Sequence, residues 1–118
     1  VKPFKGDWDM PGGFLRNGED PVVGIKREVR EELGVESEIE KLFDIFVDTY
    51  GEYNIYTFNV CYIVTLLSEA IHPMDDVAEA RWFDIDDVPE NLAFKCLGEI
   101  IGRVRKEILK SKSDEVDL

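Results

Sequence analysis

The sequence predicts an α+β domain, that is, an α/β chain in which helices cover a sheet, and three features carry that reading. Residues 21–33, "PVVGIKREVREEL", form an amphipathic helical pattern with both ends marked. The runs 42–48 and 54–65 are β-branched and aromatic, as strands are. A second helical pattern begins near Lys95. No repeat and no linker rich in Pro, Gly or Ser divides these elements, so residues 1–118 read as one domain.

The start, "VKPFKGDWDMPGG", reads as a loop running into a short strand around 8–10, halted by Pro11-Gly12-Gly13. Asp20 followed by Pro21 marks a helix start: an N-cap side chain, then proline where no N–H is needed. Gly34 marks the stop. Tyr50-Gly51-Glu52 offers a turn between the two strands. In the second strand Tyr56, Phe58, Val60, Tyr62 and Val64 alternate with Ile55, Thr57, Asn59, Cys61 and Ile63. Both faces are apolar, which predicts a strand covered on both sides. "ARWFDI" at 80–85 reads as a further strand. The last helix is expected from about 95 to 110, with Leu97, Ile100, Ile101, Val104 and Ile108 at helical spacing. The tail 111–118 is polar and expected to fray.

Composition limits the function. A hydrophobic fraction of 44% describes a globular chain. The formal charge of −12, from 26 acidic and 14 basic side chains, opposes nonspecific binding to nucleic acid or to an anionic membrane. A phosphate-bearing ligand would need a local cation here. Cys61 and Cys96 lack C-x-x-C or His spacing, so they suggest neither a redox pair nor a zinc site. With no membrane-length apolar run and no signal peptide, a cytoplasmic enzyme or binding domain is the expectation.

The chemistry concentrates in the first helix. With about 100° per residue, placing Glu28 at zero puts Glu32 near about 40° and Glu31 near about −60°. Val22, Ile25, Val29 and Leu33 fall between roughly 60° and 140°, which gives an apolar stripe bordered by carboxylates. Gly24 sits in the acidic face, at a cost of about 1 kcal/mol relative to alanine. Close approach of the preceding loop or of a ligand is one use for it. Like charges three and four residues apart repel. A shared hard cation, Mg²⁺ or Mn²⁺, would make the glutamates favourable neighbours, and a metal-free chain would carry the repulsion unrelieved. On the glutamates alone, a solvated acidic helix face is the commoner arrangement in a chain with 34% charged residues.

The longer pattern decides between them. Gly13, five residues, Glu19, seven residues, then Arg27-Glu28-Val29-x-Glu31-Glu32-x-Gly34-Val35 resembles the signature of the Nudix hydrolases at every position. "GDWDMPGG" before it and "EARWFDIDDVPENLAF" after it are similar to the usual flanks, so the resemblance covers nearly the whole chain. It implies an α/β/α sandwich around a mixed sheet, and hydrolysis of a diphosphate bond in a nucleoside diphosphate joined to another group, with Mg²⁺ or Mn²⁺. Glu28 and Glu32 match the main metal ligands, and Glu31 a ligand or base. The backbone carbonyl of Gly12 matches a further ligand. Arg27 matches the residue that pairs with the glutamates and holds their geometry. Glu19 reads equally as a capping aid or a metal group. The general base is expected among the box glutamates or at Asp76, six residues before Trp82, although Asp75 and Asp76 also suit an ordinary loop.

Substrate choice lies outside the box. Phe4, Trp8, Tyr50, Tyr53 and Trp82 are candidates to stack on a base, each also suited to packing. Phe4, Trp8 and Tyr53 are taken as the substrate-binding set. His72 receives no role. "ENLAFK" resembles members acting on ADP-ribose or NADH, and an ADP-ribose-like nucleotide is the favoured small-molecule partner. A dinucleoside polyphosphate or a nucleoside triphosphate is the alternative; a nucleotide-sensing domain without catalysis is a rival of another class. Only seven residues precede Trp8, so the first strand of the family is expected to be missing. A sheet edge left open would invite association, for example as a homodimer.

Overall fold

The computed structural model describes residues 7–50, 55–74, 77–93 and 95–116, with the backbone alone at 50, 95 and 111–116. In chain order the elements are helix α1 (Pro21–Leu33), strands β1 (Ser37–Tyr50) and β2 (Ile55–Leu66), and helix α2 (Lys95–Val116). The two strands pair as an antiparallel hairpin, and the chain has the expected α+β class. The predicted turn at 50–52 lies outside the described residues apart from the backbone of Tyr50. The chain forms two packing units. One contains 10–47 and 58–82; the other contains 7–9, 48–50, 55–57 and 83–116.

Helix α1 follows its sequence signals closely. The Asp20 carboxylate accepts the Val22 N–H, Pro21 opens the first turn, and Gly34 takes a left-handed conformation at φ 66°. The apolar stripe then buries Val29 and Leu33 together with Val35, against Ile25, Leu66, Ile71 and Ala80. The chain after β2 returns to the end of α1: the His72 N–H donates to the Leu33 carbonyl and the Met74 N–H to the Glu32 carbonyl, both at 2.9 Å. Carbonyls that a helix end leaves unpaired are satisfied in this way.

In the hairpin, the Asn59 side-chain amide donates to the Phe46 carbonyl at 3.4 Å. Phe46 is buried, while Ile45, Val47, Phe58 and Val60 are exposed. The prediction that β2 is covered on both sides is therefore corrected: Tyr56 and Phe58 are 71% and 77% exposed. Alternation fixes which residues share a face, but not whether another layer lies over it, and among the described residues none does. In β1 the buried side chains are Ser37 and Phe46, with Ile39 and Asp48 half-buried beside them.

Three other expectations change. The short strand near Trp8 is reduced to a single parallel bridge with Leu92. Residues 80–85 form no strand; the Asp87 N–H closes a turn on the Asp84 carbonyl, and the Asp84 carboxylate accepts the Asp86 N–H. A β-branched or aromatic run becomes a strand only with a ladder partner, and the described ladder is that of β1 and β2. The tail does not fray at 111: α2 continues to Val116. No Gly or Pro interrupts "KSKSDEV", and Lys and Glu are good helix formers. Among the described side chains of α2, Leu97 and Ile100 are buried. Cys61 and Cys96 are both free thiols, and burial, then the Asp44 carboxylate, pushes the Cys61 thiol up.

Candidate active site

The centre of the site is one guanidinium. Arg27 projects from α1 into a side-chain environment only 11% exposed, and each of its five N–H donors has an acceptor. Nε donates to Glu19 Oε2 at 2.7 Å. Nη1 donates to Glu28 Oε1 at 2.7 Å and to Glu31 Oε2 at 3.0 Å. Nη2 donates to Glu19 Oε1 at 2.9 Å and to the Phe14 carbonyl at 3.3 Å. The bidentate contact with Glu19 is the geometry in which guanidinium and carboxylate match best.

These contacts fix the charges. Two bonds from Arg27, helped by the Arg16 backbone N–H and opposed by burial, hold the Glu19 carboxyl down to about 2. The Arg27 guanidinium is pushed above its ordinary value, by Glu19 first and then, against burial, by Glu28. Glu19 therefore neither caps α1, which Asp20 does, nor stands at the helix start for its charge alone. It orients Arg27 from behind.

Loop 12–19 closes over the same helix face. The Gly12 N–H donates to Glu32, at 3.1 Å to Oε1 and 3.4 Å to Oε2. A Cβ on Gly13 would lie 2.8 Å from Glu28 Cδ, so glycine there is what lets the backbone pass against the carboxylate. Gly24 plays the same part below: its missing Cβ would meet Leu15 Cδ2 at 2.5 Å and Glu19 Oε1 at 3.1 Å. The close approach expected of Gly24 is thus that of the preceding loop. Arg16, on this loop, extends to Glu31 with Nη2 3.0 Å from Oε1.

The metal-free chain does not carry the unrelieved repulsion expected of three clustered glutamates. Arg27 bonds to both Glu28 and Glu31, and Arg16 holds the second oxygen of Glu31, so the repulsion is relieved in part. Among the described residues no three carboxylate, imidazole or thiolate groups gather around one point. The donor set still fits a hard divalent cation in its chemistry: carboxylates on one helix face, with the Gly12–Gly13 backbone brought against them. Glu28 Oε2 has no hydrogen-bond partner among the described residues, and Glu32 accepts the Gly12 N–H. Both oxygens of Glu31 are engaged.

Of the other candidates, Phe4, Tyr53 and Asp76 lie outside the described residues, as does the Tyr50 side chain. Trp8 belongs to the other packing unit, where its ring meets Phe83 edge-on at 4.9 Å and its backbone bonds to Asn91 and Ala93. Trp82 is exposed, with its indole N–H on the Glu69 carbonyl at 3.0 Å. Sequence reasoning missed Arg16 and the Phe14 carbonyl. No local spacing marks them, because the path of loop 12–19 brings them to α1.

A capped helix carrying a guanidinium-centred carboxylate cluster, roofed by a glycine loop, defines a class, and the comparison with protein families agrees. Residues 1–101 match the model of the NUDIX domain, and the chain belongs to that family. It is similar to an ADP-ribose pyrophosphatase of Methanocaldococcus jannaschii, 29% identical over 92 residues that cover 78% of this chain and 54% of that one. It is also similar to diphosphoinositol polyphosphate phosphohydrolase 2 of Homo sapiens, 26% identical over 84 residues that cover 71% and 46%. Among solved structures, a UDP-X diphosphatase superposes with a TM-score of 0.70 at 25% identity, covering 86% of this chain and 52% of that one. The chain spans about half the length of these relatives. No described helix is long and apolar enough to cross a membrane.

Proposed function

We propose that this chain carries the catalytic site of a hydrolase that cleaves the diphosphate bond of a nucleoside diphosphate joined to another group, using Mg²⁺ or Mn²⁺. The observation that carries this reading is Arg27, with all five donors spent on orienting Glu19, Glu28, Glu31 and the Phe14 carbonyl. A solvated acidic face has no use for a buried guanidinium of that kind. Substrates named for the relatives, an ADP-ribose, a diphosphoinositol polyphosphate and a UDP-linked group, share a diphosphate linkage. An ADP-ribose-like nucleotide is the favoured choice.

Glu28 and Glu32 would hold the cation, together with the Gly12 carbonyl. A bound divalent cation neutralises phosphate oxygens and acidifies the attacking water. Arg27 holds Glu28 in place. Glu31 is already ionically paired on both oxygens, which leaves the general base to Asp76 or to Glu31 once it is released. Asp76 is supported by sequence proximity: Met74, two residues earlier, is tied by its N–H to the Glu32 carbonyl.

Turnover of ADP-ribose, a UDP-sugar, a dinucleoside polyphosphate and a nucleoside triphosphate is measured with Mg²⁺ and again in excess chelator. Hydrolysis that stops with the chelator is expected; nucleotide binding without any hydrolysis would favour the sensing domain. Asp76→Asn is expected to lower kcat by about 10²-fold, the scale of a general base. A rate near wild type would move the base into the box.

A further inference from the structure

We propose that Arg16 is a contact for an anionic oxygen of the substrate's diphosphate, and that it makes this contact by letting go of Glu31. The inference deepens the hydrolase reading above and rests on it for the identity of the ligand. The backbone of Arg16 is fixed. Its N–H donates to Glu19 Oε1 at 3.0 Å and its carbonyl accepts the Glu19 N–H at 3.0 Å, which closes the turn 16–19 around Gly18, whose φ is 77°. Since Glu19 is held by Arg27, the base of the Arg16 side chain is anchored to the centre of the site.

The head of the side chain is in the opposite condition. It is 65% exposed, and Nη2 alone is bonded, to a Glu31 that is itself 34% exposed. A pair of this kind in water is weak and easily exchanged. Neither arginine of α1 is so placed. Arg27 has no donor to spare, and Arg30 turns to Glu36 on the far side of the helix. An anion approaching a chain of charge −12 therefore meets one guanidinium with free donors at the edge of the carboxylate face. Its planar fork suits two phosphate oxygens better than it suits one carboxylate oxygen of Glu31.

The exchange has a second effect. Glu31 Oε1 loses its partner while Oε2 stays on Arg27. The carboxylate that the family signature makes a ligand or base thus becomes available when the diphosphate is in place. Arg16 is a substrate contact in this scheme, and Glu31 is held in reserve until that contact forms.

The test compares wild type with Arg16→Gln and Arg16→Lys, all at an exposed position. Calorimetry measures binding of methylenediphosphonate, a diphosphate that cannot be hydrolysed, in saturating Mg²⁺, and of Mg²⁺ alone. Arg16→Gln is expected to weaken diphosphonate binding about tenfold or more, with Mg²⁺ affinity within about twofold of wild type and Arg16→Lys intermediate. Where a substrate is turned over, KM should rise in step while kcat changes little. Diphosphonate affinity unchanged in Arg16→Gln overturns the inference, and so does a wild type that does not bind diphosphonate. A change in Mg²⁺ affinity or kcat alone would reduce Arg16 to a positioning residue for Glu31, which also overturns it. Loss of diphosphonate binding in a protein that hydrolyses nothing would support Arg16 and refute the hydrolase reading; hydrolysis with a wild-type KM in Arg16→Gln would do the reverse.

Discussion

Gly13→Ala separates the site from the fold more cleanly than any change of charge. Gly13 is not among the residues with positive φ, so its backbone admits alanine. Its new Cβ would stand 2.8 Å from Glu28 Cδ and Oε1 and 2.9 Å from Oε2, against an ordinary contact of 3.4 Å or more. The carboxylate must retreat by about 0.6 Å, the difference between 3.4 and 2.8 Å. It cannot do so without stretching the 2.7 Å bond to Arg27 or turning its oxygens. Stability should stay within about 1 kcal/mol of wild type, because losing a glycine in an exposed loop restricts the unfolded chain. The rate should fall by about 10²-fold, the scale for misplacing a reacting group by a fraction of an ångström to one ångström. Thermal unfolding with and without Mg²⁺, alongside hydrolysis of ADP-ribose, measures both. A variant with wild-type stability, wild-type cation response and wild-type rate would refute the placement of Glu28 at the reacting centre.

The other predictions concern the network behind and beside Glu28. Gly24→Ala should fail to deliver the gain of about 1 kcal/mol that helix propensity promises, because its Cβ displaces Leu15 and Glu19; a full gain in unfolding free energy would contradict the packing described. The Glu19 carboxyl is held at about 2 in the folded chain against an ordinary 4.5, so the unfolded state takes up the proton first. The stability this supplies is present above pH 4.5 and is lost as pH falls toward 2. Melting temperature followed over that window should fall more steeply in wild type than in Glu19→Gln, and equal slopes would refute it. Glu32→Gln keeps an acceptor for the Gly12 N–H and removes one charge from the Glu28–Glu32 pair. Its metal-free stability should match wild type or exceed it by a few tenths of a kcal/mol, while most of its Mg²⁺-induced rise in melting temperature disappears. An unchanged rise would remove Glu32 from the ligands.

What was legible in the sequence was local. The Asp20–Pro21 start, the Gly34 stop and the carboxylate face of α1 all follow from spacing within one element, as does the Arg27–Glu31 contact one turn apart. Contacts set by the path of a loop were not legible. Nothing in the spacing says that Glu19 reaches Arg27 from eight positions away, or that Arg16 reaches Glu31 from fifteen. Coverage was not legible either. Alternation in β2 placed Phe58 and Val60 on one face correctly, but whether that face is buried depends on what packs over it. The run at 80–85 had strand composition and lacked a partner, while the polar end of α2 had helix formers and lacked a stop.

The presence of three glutamates on one helix face in an already acidic chain is explained by counting the charges they meet. Glu19, Glu28 and Glu31 lie against Arg27 and Arg16, and three carboxylates against two guanidiniums leave a formal excess of one negative charge, with the Glu32 carboxylate beside them on the Gly12 N–H. The two arginines divide the work by burial. Arg27, enclosed and saturated, supplies permanent neutralisation and fixes directions, so the face can exist in the metal-free fold. Arg16, exposed and held to Glu31 by one bond, is the one we propose exchanges its partner for a diphosphate. When a diphosphate takes Arg16, Glu31 Oε1 is released while Oε2 stays on Arg27. On that proposal the departure of Arg16 frees Glu31 and leaves Arg27, and with it Glu19 and Glu28, in place.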